Sequence, residues 1–170
     1  MRVWHFSEMP YTPAWTCDEE SLRVTLPNSN YDPKVGYEIY KQQLDNYMLA
    51  DDLGFDLMSN EHHSTATCLQ AATPLIMSIL ARETKKARLL TLGNPVANRA
   101  DPVRIAEEMA MVDNISGGRL EVGFIRGTPA ELQSVNANPT RMVERMWEAH
   151  DLIIKAWTTH DGPFNWEGEF

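Results

Sequence analysis

What most constrains the fold of this 170-residue chain is an alternation repeated along its length, in which a short apolar run precedes a longer segment of helical period. The first run is Arg2 to Phe6. The segment Lys34 to Leu53 then places Ile39, Leu44, Tyr47, Met48 and Leu53 near one helical face, with Gly54 as the stop. Phe55 to Ser59 predicts a second strand, Leu69 to Thr84 a second helix that is apolar on most sides, and Lys86 to Gly93 a third strand. Asp101-Pro102 sets an N-cap acid before a proline at the first helical position, and the helix it opens runs to Gly117-Gly118. Arg119 to Ile125 predicts the fourth strand, and Thr140 to Trp157 a fourth helix after the turn residues Asn138-Pro139. Strand followed by crossover helix, repeated in this way, predicts an α/β fold with a parallel sheet. It fits either a small open sheet or half of an eight-stranded (β/α) barrel.

Composition narrows the class of partner. An apolar content of 43% with 9% aromatics suits one packed domain over residues 1–170. Fifteen Lys and Arg against 24 Asp and Glu give a formal charge of -9, which argues against nucleic acid or an anionic membrane surface and for a small neutral or apolar ligand. The two cysteines, Cys17 and Cys68, lie far apart with no CxxC spacing, so neither a disulfide framework nor a zinc site is expected. No stretch approaches the ~20 apolar residues of a membrane span. The opening "MRVWHFSEMPY" lacks the apolar core of a secretory signal, so a cytoplasmic protein is expected. Residues 7–33 form a β1–α1 connection far longer than usual, as lids and binding loops often are. Its Met9, Tyr11 and Trp15 either wall a hydrophobic pocket or pack on the rim.

In either fold, functional groups belong at the C-terminal ends of the strands. Glu61-His62-His63 follows the second strand, Gly93-Asn94-Pro95 ends the third, and Arg126-Gly127-Thr128 ends the fourth, so three polar clusters converge on one rim. Glu61 either orients an imidazole or pairs with an Arg. Side chains of successive residues point apart in an extended segment, so His62 and His63 are not expected to face one ligand. No metal site is expected, because three consecutive residues rarely turn toward one ion and HExxH is absent.

The stretches "GFDLMSNEHHS", "GNPVANRADPVRIAEEMAMVDNISGGRLEVGFIRG" and "HFSEMPY" resemble the bacterial luciferase-like flavin-dependent monooxygenases, in order and spacing, from residue 1 to about residue 160. The resemblance implies a TIM barrel that binds reduced FMN at its C-terminal mouth and uses O2 to oxidise a small, apolar organic substrate. A flavin reductase would supply the reduced FMN, and the chain would form a homodimer or other oligomer. Such a barrel needs ~250 residues, so the chain is expected to be its N-terminal half, truncated after the fourth βα unit, with "DGPFNWEGEF" as a strand or hairpin cut short.

The resemblance also implies roles. His62 matches a histidine beside the flavin ring that assists proton transfers, a task suited to an imidazole, and Glu61 joins it as a candidate catalytic residue. Gly93 and Asn94 occupy the position of a non-prolyl cis peptide beneath the ring. Arg126 matches an arginine on the flavin phosphate, and His63 is a further cofactor-binding candidate. Ile125 departs from the luciferases proper, which carry a reactive Cys there. Two alternatives accompany this reading: an oxidoreductase that transfers hydride to the deazaflavin F420, and a non-catalytic partner subunit of luciferase type.

Overall fold

A computed structural model describes residues 1–16 and 26–170. Its strands are β1 (Trp4–Phe6), β2 (Asp56–Ser59), β3 (Leu89–Pro95) and β4 (Leu120–Ile125). The helices are α1 (Pro33–Asp52), α2 (Thr73–Glu83), α3 (Pro102–Ser116), the short α4 (Pro129–Ser134) and α5 (Met142–Thr158). The strands form one sheet in the order β1-β2-β3-β4, every pair parallel, with Phe6 opposite Met58, Met58 opposite Leu90, and Leu90 opposite Glu121. The parallel α/β expectation therefore holds. Cys17 and the middle of the long β1–α1 connection lie outside the described residues.

Local chemistry explains the boundaries. The Asp101 side chain accepts from the Val103 and Arg104 amides at the start of α3, and Gly117 ends that helix in the left-handed conformation at φ 70°. Asp32 caps α1 by accepting from the Lys34 amide. The second helix begins at Thr73 and not at Leu69, because backbone groups before it serve the loop: the Leu69 amide donates to the Met9 carbonyl, and the Gln70 carbonyl accepts from His62. It is also less enclosed than its sequence predicts, for Leu75 and Ile79 are exposed. Leu53, expected on the inner face of α1, is its exposed C-cap residue. Helix α4 was not predicted, although Thr128-Pro129-Ala130-Glu131 has the capping-box pattern that starts it.

The core lies between the sheet and its helices, built from Leu57 and Leu89 of the strands, Tyr47 of α1, Met77 and Leu80 of α2, Ile105 and Met109 of α3, and Ile153 of α5. Tyr47 keeps its hydroxyl satisfied by donating to the Met58 carbonyl at 2.8 Å. Strands β3 and β4 shift register between Thr91 and Asn94. They come so close there that a Cβ on Gly123 would lie 2.4 Å from the Thr91 carbonyl oxygen, which leaves room only for glycine. The expected terminal strand is absent. Residues 159–170 instead fold back on α5, where Arg141 pairs with Glu169 and Lys155 lies over the Phe164 ring at 4.8 Å. Among the described residues no helix is long and apolar enough to cross a membrane.

At the N-terminal end of the sheet, Arg119 uses its guanidinium to close the junction between α2 and β3. It donates to the carbonyls of Ala81, Thr84, Ala87 and Ser116 and to the Thr84 hydroxyl, all at 2.8–3.0 Å. Asp51 accepts from the Lys85, Lys86 and Ala87 amides at the same junction. Replacing Arg119 with Ala strands several buried acceptors at once and is expected to lower stability by about 3 kcal/mol. Urea unfolding of the two proteins, compared at constant m-value, measures this.

Candidate functional site

At the opposite end of the sheet, the loop from Ser59 to Thr73 rests on a buried polar layer. The Ser59 hydroxyl donates to Gln70, the Gln70 amide donates to the Ser7 carbonyl at 2.5 Å, and the Thr73 hydroxyl donates to the Asn60 carbonyl at 3.1 Å. The end of β1 is thereby tied to the loop after β2. Buried polar groups satisfied in this way hold a loop in one conformation.

Glu61 is the centre of that loop and has no exposed surface. Its Oε1 accepts from Arg99 at 2.7 Å and pairs with the His63 ring at 2.9 Å, while Oε2 accepts from the Thr73 amide at 2.8 Å. Both partnerships expected of Glu61, an imidazole and an arginine, are therefore present together. The third, with Thr73, caps the N-terminus of α2.

His62 turns to different carboxylates. Its Nδ1 lies 3.1 Å from Glu131 Oε1 and its Nε2 lies 3.9 Å from Glu8 Oε1. The two imidazoles thus diverge, as their succession in the chain predicts, with His62 between Glu131 and Glu8 and His63 on Glu61. Glu131 also accepts from the His63 amide and, through Oε2, from the Thr128 amide and hydroxyl at 2.8 Å. Burial opposes its ionisation, but the His62 ring, the His63 amide and the Thr128 donors outweigh this and bring its pKa down to about 2.

The remaining predicted residues lie on the neighbouring strand ends. Arg126 is exposed at the end of β4 and makes no ion pair or hydrogen bond with the described residues. Gly93 is buried, and the cis peptide bond lies just before it, between Leu92 and Gly93, one bond earlier than the expected Gly93-Asn94. The Asn94 side chain is directed inward, where Nδ2 donates to Thr91 Oγ1 of β3 at 3.3 Å and approaches Met109 Sδ of α3 at 3.4 Å. Any contact of Asn94 with a ligand therefore falls to its backbone. Of the long-loop residues, Met9 and Tyr11 are buried in packing and Trp15 is exposed.

Sequence reasoning missed Glu131, Arg99 and Glu8. The capping box at Thr128 was legible and places Glu131 beside a strand end, but nothing local assigns it to His62, 69 positions away. Beside His63 a cleft of about 460 Å³ opens between Ser64, Thr65, Thr128, Pro129, Ala130 and Ser134, a volume in the range of small-molecule sites. The arrangement offers an imidazole held between carboxylates, a guanidinium unpaired among the described residues, and an adjoining cleft.

The chain matches the luciferase-like monooxygenase family over residues 24–170. It is 34% identical over 146 residues to the oxygenase component of a flavin-dependent trigonelline monooxygenase from Acinetobacter baylyi, covering 82% of this chain and 39% of the relative. It is 29% identical over 124 residues to the alkanal monooxygenase beta chain of Vibrio harveyi, covering 72% and 38%. Among solved structures it superposes with a TM-score of 0.77, at 18% identity, on the oxygenating constituent of 3,6-diketocamphane monooxygenase from Pseudomonas putida in complex with FMN, covering 99% and 42%. It also superposes at 0.67, with 22% identity and coverage of 76% and 41%, on an F420-dependent secondary alcohol dehydrogenase. The chain spans well under half the length of these proteins, and its four-stranded sheet is half of their barrel.

Glu131 makes the site sensitive to acid. Its pKa falls from 4.5 to about 2 on folding, so its contribution is complete above pH 4.5 and is lost as pH drops through about 2. The stability difference between wild type and Glu131→Gln is expected to be about 3 kcal/mol at neutral pH and to shrink steadily below pH 4.5. Urea unfolding at a series of pH values reads this directly.

Proposed function

This chain belongs to the luciferase-like monooxygenase family, and on that premise we propose that it supplies the His62 rim of an FMN-dependent monooxygenase acting on a small, apolar organic substrate. The observation that carries the reading is the half-buried His62 imidazole, clamped by Glu131 at one strand end, with Arg126, unpaired among the described residues, at another. The 34% identity to an oxygenase component favours FMN over F420, and it favours a separate flavin reductase as the partner that supplies reduced flavin.

The residues present fit such a group. Arg126 offers a guanidinium without a partner among the described residues, suited to a phosphate, and Phe6 of β1 and Leu92 of β3 leave 44% and 49% of their surfaces open, suited to a flat ring system. When bound in its reduced form, FMN supplies the electrons with which O2 is activated toward the substrate. His62 sits where it can give or take a proton during that reaction, and its clamp keeps the ring from rotating away. Glu61, buried under the rim, and the half-buried Arg99 hold the loop that carries the imidazoles. The cleft beside His63 and Thr128 is the proposed substrate entry, its Pro129 and Ala130 lining suited to apolar molecules.

Titrating the chain with FMN and following the quenching of flavin fluorescence tests the reading. Arg126→Ala is expected to weaken binding by about 10- to 100-fold, the loss of about 1.5–3 kcal/mol for hydrogen bonds to a charged group. His62→Ala is expected to leave binding nearly unchanged and, with a flavin reductase supplying reduced FMN, to lower substrate turnover by about 100-fold or more. Quenching that is absent, or that ignores Arg126→Ala, would overturn the assignment of flavin to this rim.

A further inference from the structure

We infer that Glu131 is a positioning residue that fixes the tautomer of His62, so that Nδ1 carries the proton and Nε2 is the nitrogen that exchanges protons with a ligand at the mouth. The inference rests on the proposed acid/base role of His62 and specifies which atom performs it.

The carboxylate is in place independently of the imidazole. Glu131 accepts from the Thr128 amide and hydroxyl through Oε2 and from the His63 amide through Oε1, three donors that lock its orientation without His62. The Thr128 and Glu131 pair is a complete capping box, each side chain serving the other's backbone, so the carboxylate is anchored to the first turn of α4. A further donor is then needed at Oε1, and His62 Nδ1 stands 3.1 Å away. An ionised carboxylate only accepts hydrogen bonds, so this contact is satisfied only when Nδ1 bears a hydrogen. The His62 amide is separately engaged with the Gln70 carbonyl at 3.2 Å, which fixes the backbone from which the ring projects.

Among the described residues the other nitrogen is left without a hydrogen bond. Glu8 Oε1 is 3.9 Å from Nε2, beyond hydrogen-bond reach, and Glu8 is itself engaged by the Asn60 amide at 3.2 Å. Among the described residues the charged groups facing the ring are thus Glu131 from α4 and Glu8 from the loop after β1, one bonded and one not. A proton that His62 accepts or gives passes at Nε2, while the Nδ1 hydrogen stays with Glu131 throughout. The arrangement repeats a general pattern in which a carboxylate orients an imidazole and selects its working nitrogen.

The test needs neither flavin nor turnover. Long-range ¹H–¹⁵N spectra of the chain at pH 8, with His62 assigned by comparison with His62→Ala, report each ring nitrogen as protonated or bare. Wild type is expected to show a protonated Nδ1 and a bare Nε2. Glu131→Gln, whose amide oxygen still accepts from Nδ1, is expected to keep that pattern, whereas Glu131→Ala is expected to move the Nδ1 resonance to the bare type as the hydrogen shifts to Nε2. A wild-type His62 protonated at Nε2, or a pattern unmoved in folded Glu131→Ala, would overturn the inference. The wild-type spectrum is decisive even where the alanine variant does not fold. An acid/base role refuted by the turnover of His62→Ala would leave the tautomer result standing, so the two failures are separate.

Discussion

A carboxylate with no exposed surface must find partners for both oxygens, and Glu61 finds them on three separate elements. Arg99 comes from the segment between β3 and α3, His63 from the loop after β2, and the Thr73 amide from the start of α2. Removing any partner leaves buried charge or a buried acceptor exposed to an apolar surround, at a cost of several kcal/mol. The rim is therefore rigid where it carries its chemistry. His62 owes its position to this hub, since the peptide flanked by Glu61 and His63 has nowhere else to go.

The two ends of the sheet are built on contrasting logic. At the N-terminal end Arg119 and Asp51 direct nearly all their hydrogen bonds to main-chain groups, and little is left for a ligand. At the C-terminal end, among the described residues, Arg126 stays unpaired and the His62 ring keeps a nitrogen without a hydrogen bond. Parallel (β/α) sheets divide stability and function in this way, because the loops that leave the C-terminal strand ends are free to vary while the opposite junctions close the core. The same division appears in the carboxylates: Asp51 accepts from three main-chain amides, whereas Glu131 shares itself between amides, a hydroxyl and an imidazole.

Packing explains where the sheet stays open. The helices cover the side that carries Leu57 and Leu89, and the Tyr47 hydroxyl and the Met77 and Leu80 side chains complete that layer. Phe6 and Leu92 remain exposed because none of the described elements lies over them. In the solved proteins that share the fold, this four-stranded sheet is half of the barrel.

Much of the fold was legible in the sequence because its signals are local. The Asp101-Pro102 start, the Gly117 stop and the alternation of strand with helix depend on neighbours within a few positions, and each is found where expected. Local rules failed where tertiary contacts competed: the first residues of the predicted second helix serve the rim loop, and the aromatic run near Phe170 folds against α5 in place of a strand. The residue types of the site, an acid, two imidazoles and an arginine at strand ends, could also be read directly. Only the tertiary structure decided that Glu61 meets Arg99 across 38 positions and that His62 meets Glu131 across 69. Periodicity and capping act through backbone geometry over one or two turns, whereas these pairings depend on how parallel strands align their ends, which no local signal encodes.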